Sequence, residues 1–143
     1  MSLSNDSRTC GPMSSEAGSG IHLIGEWSGC RVRNGILTRA SDLAGLCVVA
    51  AREVGLTVVG QSAHQFEPEG ATVVILLAES HLAIHTWPEL AFVTADVFVC
   101  NLTDDNEAKA WALWERLKID FSPTFERLTS VNRSKPQLCA QAA

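Results

Sequence analysis

A chain of 143 residues, 46% hydrophobic and 19% charged, has the size and composition of one globular domain that can bury a core without staples. Its formal charge of −5 gives no electrostatic reason to expect nucleic acid or an anionic membrane as a partner. No apolar stretch approaches the ~20 residues that a membrane-spanning helix needs. Cys10, Cys30, Cys47, Cys100 and Cys139 are odd in number and lack C-x-x-C spacing. That argues against a disulfide framework or a structural zinc site and fits reduced thiols in a cytoplasm.

Residues 1–20 are polar and Gly/Ser-rich, lack the apolar segment of a secretory signal, and read as a flexible N-terminal arm. A first strand is expected over 21–28, with Ile21, Leu23 and Gly25 alternating against His22, Ile24 and Glu26. Residues 29–39 are basic and turn-forming, Asn34-Gly35 being a turn dipeptide. Ser41 then caps a helix over 42–54, whose stripe is Leu43, Leu46, Cys47, Ala50 and Val54, with Gly55 as its stop. A second strand follows over 56–66, a turn at Glu67-Pro68-Glu69-Gly70, and a third strand over 71–78, apolar on both faces. Residues 80–86 continue extended towards Pro88, and 92–100 form another strand. Asp104 or Asp105 caps a helix to about Lys118 with the stripe Ala110, Leu113, Trp114 and Leu117. A last strand is expected over 125–131. This order predicts an α+β two-layer sandwich, a mainly antiparallel sheet with two helices on one face. The domain would span 21–131, leaving 132–143 as a loose C-terminal tail.

The third strand opens abruptly onto Glu79-Ser80-His81-Leu82-Ala83-Ile84-His85-Thr86-Trp87-Pro88-Glu89, and Cys100 closes the next apolar run. So much polar chemistry at the end of a core strand is inconsistent as packing, and such inconsistency marks functional sites. Four readings compete. One is an ordinary strand with His81, Ala83 and His85 on its wet face. A metal site of His81, His85 and Cys100 is disfavoured, because histidines four apart converge on a helix while this stretch reads as extended; no metal is expected. A Ser–His hydrolase lacks its Gly-x-Ser-x-Gly elbow around Ser80. The fourth is self-processing, in which Ser80 attacks the carbonyl of Glu79.

The string Glu-Ser-His-x-x-Ile-His-Thr-Trp-Pro-Glu, with a cysteine twenty positions after the serine, resembles the small prokaryotic S-adenosylmethionine decarboxylase proenzymes. These are pyruvoyl enzymes of polyamine synthesis, and the resemblance covers roughly residues 20–130. It implies the same α+β layout and favours self-processing: an N→O acyl shift, β-elimination that cuts between Glu79 and Ser80, and a pyruvoyl group derived from Ser80. Such a carbonyl forms a Schiff base with the substrate and is the electron sink a decarboxylase needs. Pyridoxal phosphate would need a lysine, and Lys109, Lys118 and Lys135 all fall outside the polar centre of the sequence. Carried over residue by residue, the resemblance makes His85 the base in processing and Cys100 the proton donor after CO₂ leaves. Thr72 supports processing, and Phe66, Trp87 and Glu89 bind substrate. His22, His64 and His81 receive no role. A homodimer of processed subunits with sites near the interface is implied as well. In an ideal strand, however, Ser80 and His85 point to opposite faces.

The chain departs from the family pattern at several positions. Leu90, Ala91 and Phe92 stand where an aromatic, a glycine and an aromatic are usual, Thr72 where serine is common, and Asn101 where glycine follows the cysteine. Trp27-Ser28-Gly29-Cys30-Arg31 replaces a more usual Tyr-Gly-Cys-Asp. The leading expectation is a decarboxylase of S-adenosylmethionine serving spermidine synthesis. The alternatives are a pyruvoyl-dependent ornithine or arginine decarboxylase and a non-catalytic paralogue that binds a partner.

Overall fold

The computed structural model describes residues 19–32, 35–101 and 105–134. The chain order is β1 (Gly20–Ser28), α1 (Ala40–Glu53), β2 (Val58–Gln65), β3 (Ala71–Leu77), β4 (Ser80–Trp87), β5 (Phe92–Cys100), α2 (Glu107–Phe121) and β6 (Phe125–Arg133). A 3-10 turn, Pro88–Leu90, links β4 to β5. The strands form one sheet in the order β2-β3-β4-β5-β1-β6, antiparallel at every pairing.

Alternation along each strand decides which face is dry. Leu23 and Trp27 of β1, Val73 and Ile75 of β3, Leu82 and Ile84 of β4, and Val93, Ala95, Val97 and Val99 of β5 are all buried on one face. The helices cover that face, α1 over β2 and β3, α2 over β1 and β5. Each helix presents an apolar stripe at helical spacing: Leu43, Cys47 and Ala50 on α1, and Ala110, Leu113, Trp114 and Leu117 on α2. The opposite face carries histidines, threonines and aromatics and has no helix on it among the described residues. The expected α+β architecture is the observed one. No helix among the described residues is long and apolar enough to cross a membrane.

Several boundaries differ from those read in the sequence. Helix α1 begins at Ala40, so Ser41 lies inside it and Arg39 holds the N-cap position without a side-chain cap bond. An acceptor from another element does that work, as described below. Helix α2 starts at Glu107 after Asn106 and runs to Phe121, past the expected end at Lys118. Asp104 lies outside the described residues. Strand β2 stops at Gln65, and β1 already includes Gly20. Strand β6 continues to Arg133 because it pairs with β1 along its whole length, Gly20 opposite Arg133. Asn132 and Arg133 therefore belong to the sheet, not to a tail. The arm over 1–18 and the tail over 135–143 lie outside the described residues.

One carboxylate locks α2 to the sheet edge. Glu126 Oε2 accepts from the indole nitrogens of Trp27 at 2.8 Å and Trp114 at 2.9 Å, and Lys118 Nζ donates to Oε1 at 3.1 Å. Both indoles are fully buried. Burial raises the Glu126 pKa, but the two indole bonds and the Lys118 bond and charge outweigh it, so the group sits below its ordinary value near 4.5. A carboxylate depressed in the fold adds stability above its unfolded pKa, and that stability is lost as pH falls through the folded value. Glu126→Ala leaves two buried donors unpaired and is expected to cost about 2–4 kcal/mol in urea unfolding at pH 7. Glu126→Gln, which keeps an acceptor, should cost less and flatten the acid limb of the stability profile.

Candidate active site

Strands β3 and β4 are joined by only two residues, Ala78 and Glu79, so Leu77 pairs with Ser80. The register then runs without a shift to Thr72 opposite His85. On its other side β4 pairs with β5, His81 opposite Phe98 and His85 opposite Thr94. With a strand paired on each side, β4 stays extended along its length. Its burial alternates accordingly: Leu82, Ile84 and Thr86 are buried under the helices, while His81, Ala83 and His85 are half-buried on the open face. Ser80 falls on the helix side of this alternation and His85 on the open side.

At the turn end of the hairpin, Ser80 and Glu79 line a cavity of about 130 Å³ together with Asn106 and Lys109. Cys100 ends β5 at the same end of the sheet and is half-exposed. Asn106, only 9% exposed, binds these pieces together. Its Nδ2 donates to Cys100 O at 2.8 Å and reaches Glu79 Oε2 at 3.5 Å, while its backbone nitrogen donates to Asn101 Oδ1 at 2.8 Å. Sequence reasoning passed over Asn106, although an asparagine just ahead of a helical stripe is a recognisable cap signal. Lys109 corrects a second expectation. The sequence places it outside the polar centre, yet it lines the same small cavity as Ser80 and Glu79.

Cys30 and Cys47 are buried, whereas Cys100 is only partly so. Burial pushes the Cys30 thiol up to about 11, and burial together with the charge of Asp120 pushes Cys47 up to about 12. Both stay protonated and belong to the core, Cys47 on the stripe of α1 as the sequence indicated.

The second half of the chemistry lies elsewhere. A cavity of about 490 Å³ is lined by Phe66, Thr72, His85, Trp87 and Glu89, with Glu67 and Glu69 added. Five residues singled out in the sequence thus share one pocket. Thr72 Oγ1 and His85 Nδ1 are 2.9 Å apart, a direct result of their pairing across β3 and β4. Phe66 and Trp87 are 47% and 37% exposed, so each offers part of a ring face to a ligand. The sequence marks Glu69 only as a turn residue, and Glu67 also as a carboxylate that a basic substrate side chain could meet, as it does Glu26, Glu89 and Asp96. The clustering of three carboxylates around one cavity depends on the fold that brings the 67–70 turn beside Glu89.

His81 joins neither group. It projects from the open face beside His22 and Phe98, with ring centroids 5.8 Å and 5.7 Å away. His22 Nε2 pairs with Asp96 Oδ1 at 2.8 Å. Burial, then the charge of His22, lower the His81 pKa, and Asp96 only partly opposes them. Among the described residues, no three His, Cys, Asp or Glu side chains are grouped as metal ligands.

Comparison with known proteins gives the family. The family model described as S-adenosylmethionine decarboxylase matches residues 21–134. The chain belongs to the S-adenosylmethionine decarboxylase family. That is a family of pyruvoyl-dependent carboxy-lyases made as proenzymes. The S-adenosylmethionine decarboxylase proenzyme of Hydrogenobaculum sp. (strain Y04AAS1) is 38% identical over 105 residues, covering 73% of this chain and 74% of that protein. The proenzyme of Thermodesulfovibrio yellowstonii is 38% identical over 91 residues, 64% of this chain and 66% of that protein. The crystal structure of the adenosylmethionine decarboxylase from Aquifex aeolicus VF5 aligns with a TM-score of 0.74 at 27% identity, over 88% of this chain and 99% of that one.

Ala91 has φ 48° and ψ 41°, the left-handed region that favours glycine, immediately after the 3-10 turn that carries Glu89. Its nitrogen donates to Pro88 O at 3.0 Å and its oxygen accepts from Cys30 N at 2.9 Å, so neighbouring backbone holds the conformation. A Cβ there costs about 1–2 kcal/mol. Ala91→Gly, after allowing for the greater freedom of glycine in the unfolded chain, is expected to gain up to about 1 kcal/mol. An increased urea midpoint at unchanged slope would show it, whereas a lower midpoint would mean that the strain is relieved some other way.

Proposed function

We propose that this decarboxylase makes its own electrophile by cutting itself between Glu79 and Ser80, and that it acts on S-adenosylmethionine in a site built from two copies of the chain. The observation that carries the second part is the separation of the two half-sites. Five residues of a straight strand set Ser80 and His85 about 16 Å apart, and alternation turns them to opposite faces. Neither a bend in β4 nor a register shift is available to bring them together within one chain. A second copy, docked at the turn end of the sheet, would offer its His85, Thr72, Phe66, Trp87 and Glu89 to the first copy's Ser80 and Cys100.

The turn suits the cut. Ser80 follows a two-residue reversal, its carbonyl target is the residue before it, and the adjoining cavity leaves room for the chain to rearrange. Attack of Ser80 Oγ on the Glu79 carbonyl moves the acyl group from nitrogen to oxygen. Removal of the Ser80 α-proton then expels the Glu79 carboxylate, ending the first chain at residue 79, and loss of ammonia to water leaves a pyruvoyl group on the second. His85 is the base for that proton. With Nδ1–H donating to Thr72 Oγ1, its Nε2 lone pair is free to accept one, a tautomer that the 2.9 Å contact permits. When present, the pyruvoyl carbonyl supplies the electron sink for loss of CO₂. Cys100 then returns a proton to the substrate carbon, a role supported by its half-exposed place at the same end of the sheet.

The large cavity fits a cationic nucleoside. Phe66 and Trp87 provide ring faces for stacking and cation–π attraction, about 0.5–2 kcal/mol each. Glu67, Glu69 and Glu89 add negative charge for the sulfonium and ammonium groups. The same carboxylates would accept ornithine or arginine, but two aromatic walls favour a nucleoside over an aliphatic side chain.

Denaturing mass spectrometry of the purified protein tests the processing step. Two chains are expected, residues 1–79 and residues 80–143, the latter with a pyruvoyl in place of an amino terminus, while Ser80→Ala stays whole. A wild-type chain that remains intact on long incubation would favour the partner-binding paralogue.

A further inference from the structure

Gln65 closes β2 with its side chain turned back across the fold. Its Oε1 accepts from the backbone nitrogen of Ala40, the first residue of α1, at 2.7 Å. The two N–H groups of its Nε2 are shared among three carbonyls, those of Thr38 at 2.8 Å, Gly70 at 2.9 Å and Phe66 at 3.0 Å. Arg39 contributes no side-chain cap to α1, so a carboxamide 25 residues away does so instead. The two ends of the 67–69 turn, Phe66 and Gly70, are held by the same group. Phe66 N to Gly70 O at 2.8 Å closes that turn, and Gly70 N to Thr38 O at 3.1 Å ties it to the start of α1. Gly70, at φ 107°, is in the region that favours glycine, and a Cβ there would stand 3.2 Å from Thr86 O.

We propose that Gln65 is a positioning residue for substrate binding. It fixes the 66–70 segment, which forms one wall of the large cavity, and so holds the Phe66 ring and the Glu67 and Glu69 carboxylates where a ligand can meet them. This rests on the reading of that cavity as the substrate pocket. Gln65 does not line the cavity itself, and it acts through its neighbours. Its two ends have separable duties: Oε1 caps the helix, and Nε2 restrains the wall.

That division gives the test. Gln65→Glu keeps an acceptor for Ala40 N, and its charge suits a helix N-terminus. It loses both N–H donors and sets a carboxylate against three carbonyls. Gln65→Ala loses the cap and the restraint together. Turnover of S-adenosylmethionine is measured on processed wild type, Gln65→Glu, Gln65→Ala and Phe66→Ala, with the extent of self-cleavage and the Tm recorded for each. Both Gln65 variants are expected to raise KM about three- to tenfold, the worth of one aromatic wall, with kcat within about twofold and cleavage like wild type. Both variants should lower Tm, Gln65→Ala by losing the cap and Gln65→Glu by setting a carboxylate against carbonyls, so the split between KM and kcat is the deciding readout. If Phe66→Ala leaves KM unchanged, the pocket reading fails. If Phe66→Ala raises KM while Gln65→Glu does not, Gln65 is only a helix cap and the proposal is overturned.

Discussion

A β-strand held between two others cannot fold back on itself, and that constraint organises this molecule. The two-residue reversal at Ala78 and Glu79 fixes Leu77 opposite Ser80, and every later pairing of β4 follows from it. Ser80 is thereby pinned to one end of the sheet and His85 to the other side of it, five residues further along. The same register puts Thr72 beside His85 at hydrogen-bond distance and carries the chain on to Trp87 and Glu89. One hairpin thus sets Ser80 and His85 on opposite faces, the separation from which the two-copy site is proposed.

The two faces of the sheet divide the labour. The helix face is apolar and close-packed, with Trp27 and Trp114 buried and their only polar atoms answered by Glu126. That core keeps the strands in register without help from the site. The open face carries His22, His81, His85 and Asp96, so its polar groups lie away from the packed core. Buried side-chain polar atoms without a partner are absent among the described residues, including at the base of the pocket, where Thr86 Oγ1 accepts from Ala71 N and donates to Leu37 O.

Much of this was legible in the sequence because it rests on local pattern. Alternation located β1 and β5, helical spacing located the stripes on α1 and α2, and the polar string after β3 singled out the hairpin and its chemistry. The boundaries that were missed depend on contacts between distant segments. Ser41 is a good capping residue by type, but Gln65 reaches across from β2 and moves the start of α1 to Ala40. Asn132 and Arg133 look like tail until β1 pairs with them. Asn106, Lys109, Glu67 and Glu69 acquire their places beside the two cavities only when the first turn of α2 and the 67–70 turn are packed. The opposition of Ser80 and His85, in contrast, follows from strand period alone and was visible from the start.

The central claim is that Ser80 of one copy works with His85 of another. Coexpressed chains, one Ser80→Ala and the other His85→Ala, distinguished by mass, measure this directly. Each alone should stay uncut. In the mixed assembly the His85→Ala chain still has Ser80, and its partner still has His85. The account predicts that the His85→Ala chain is cleaved there and the Ser80→Ala chain is not. Both chains remaining whole, in an assembly shown to contain both, would place the two residues in service of the same chain and contradict it.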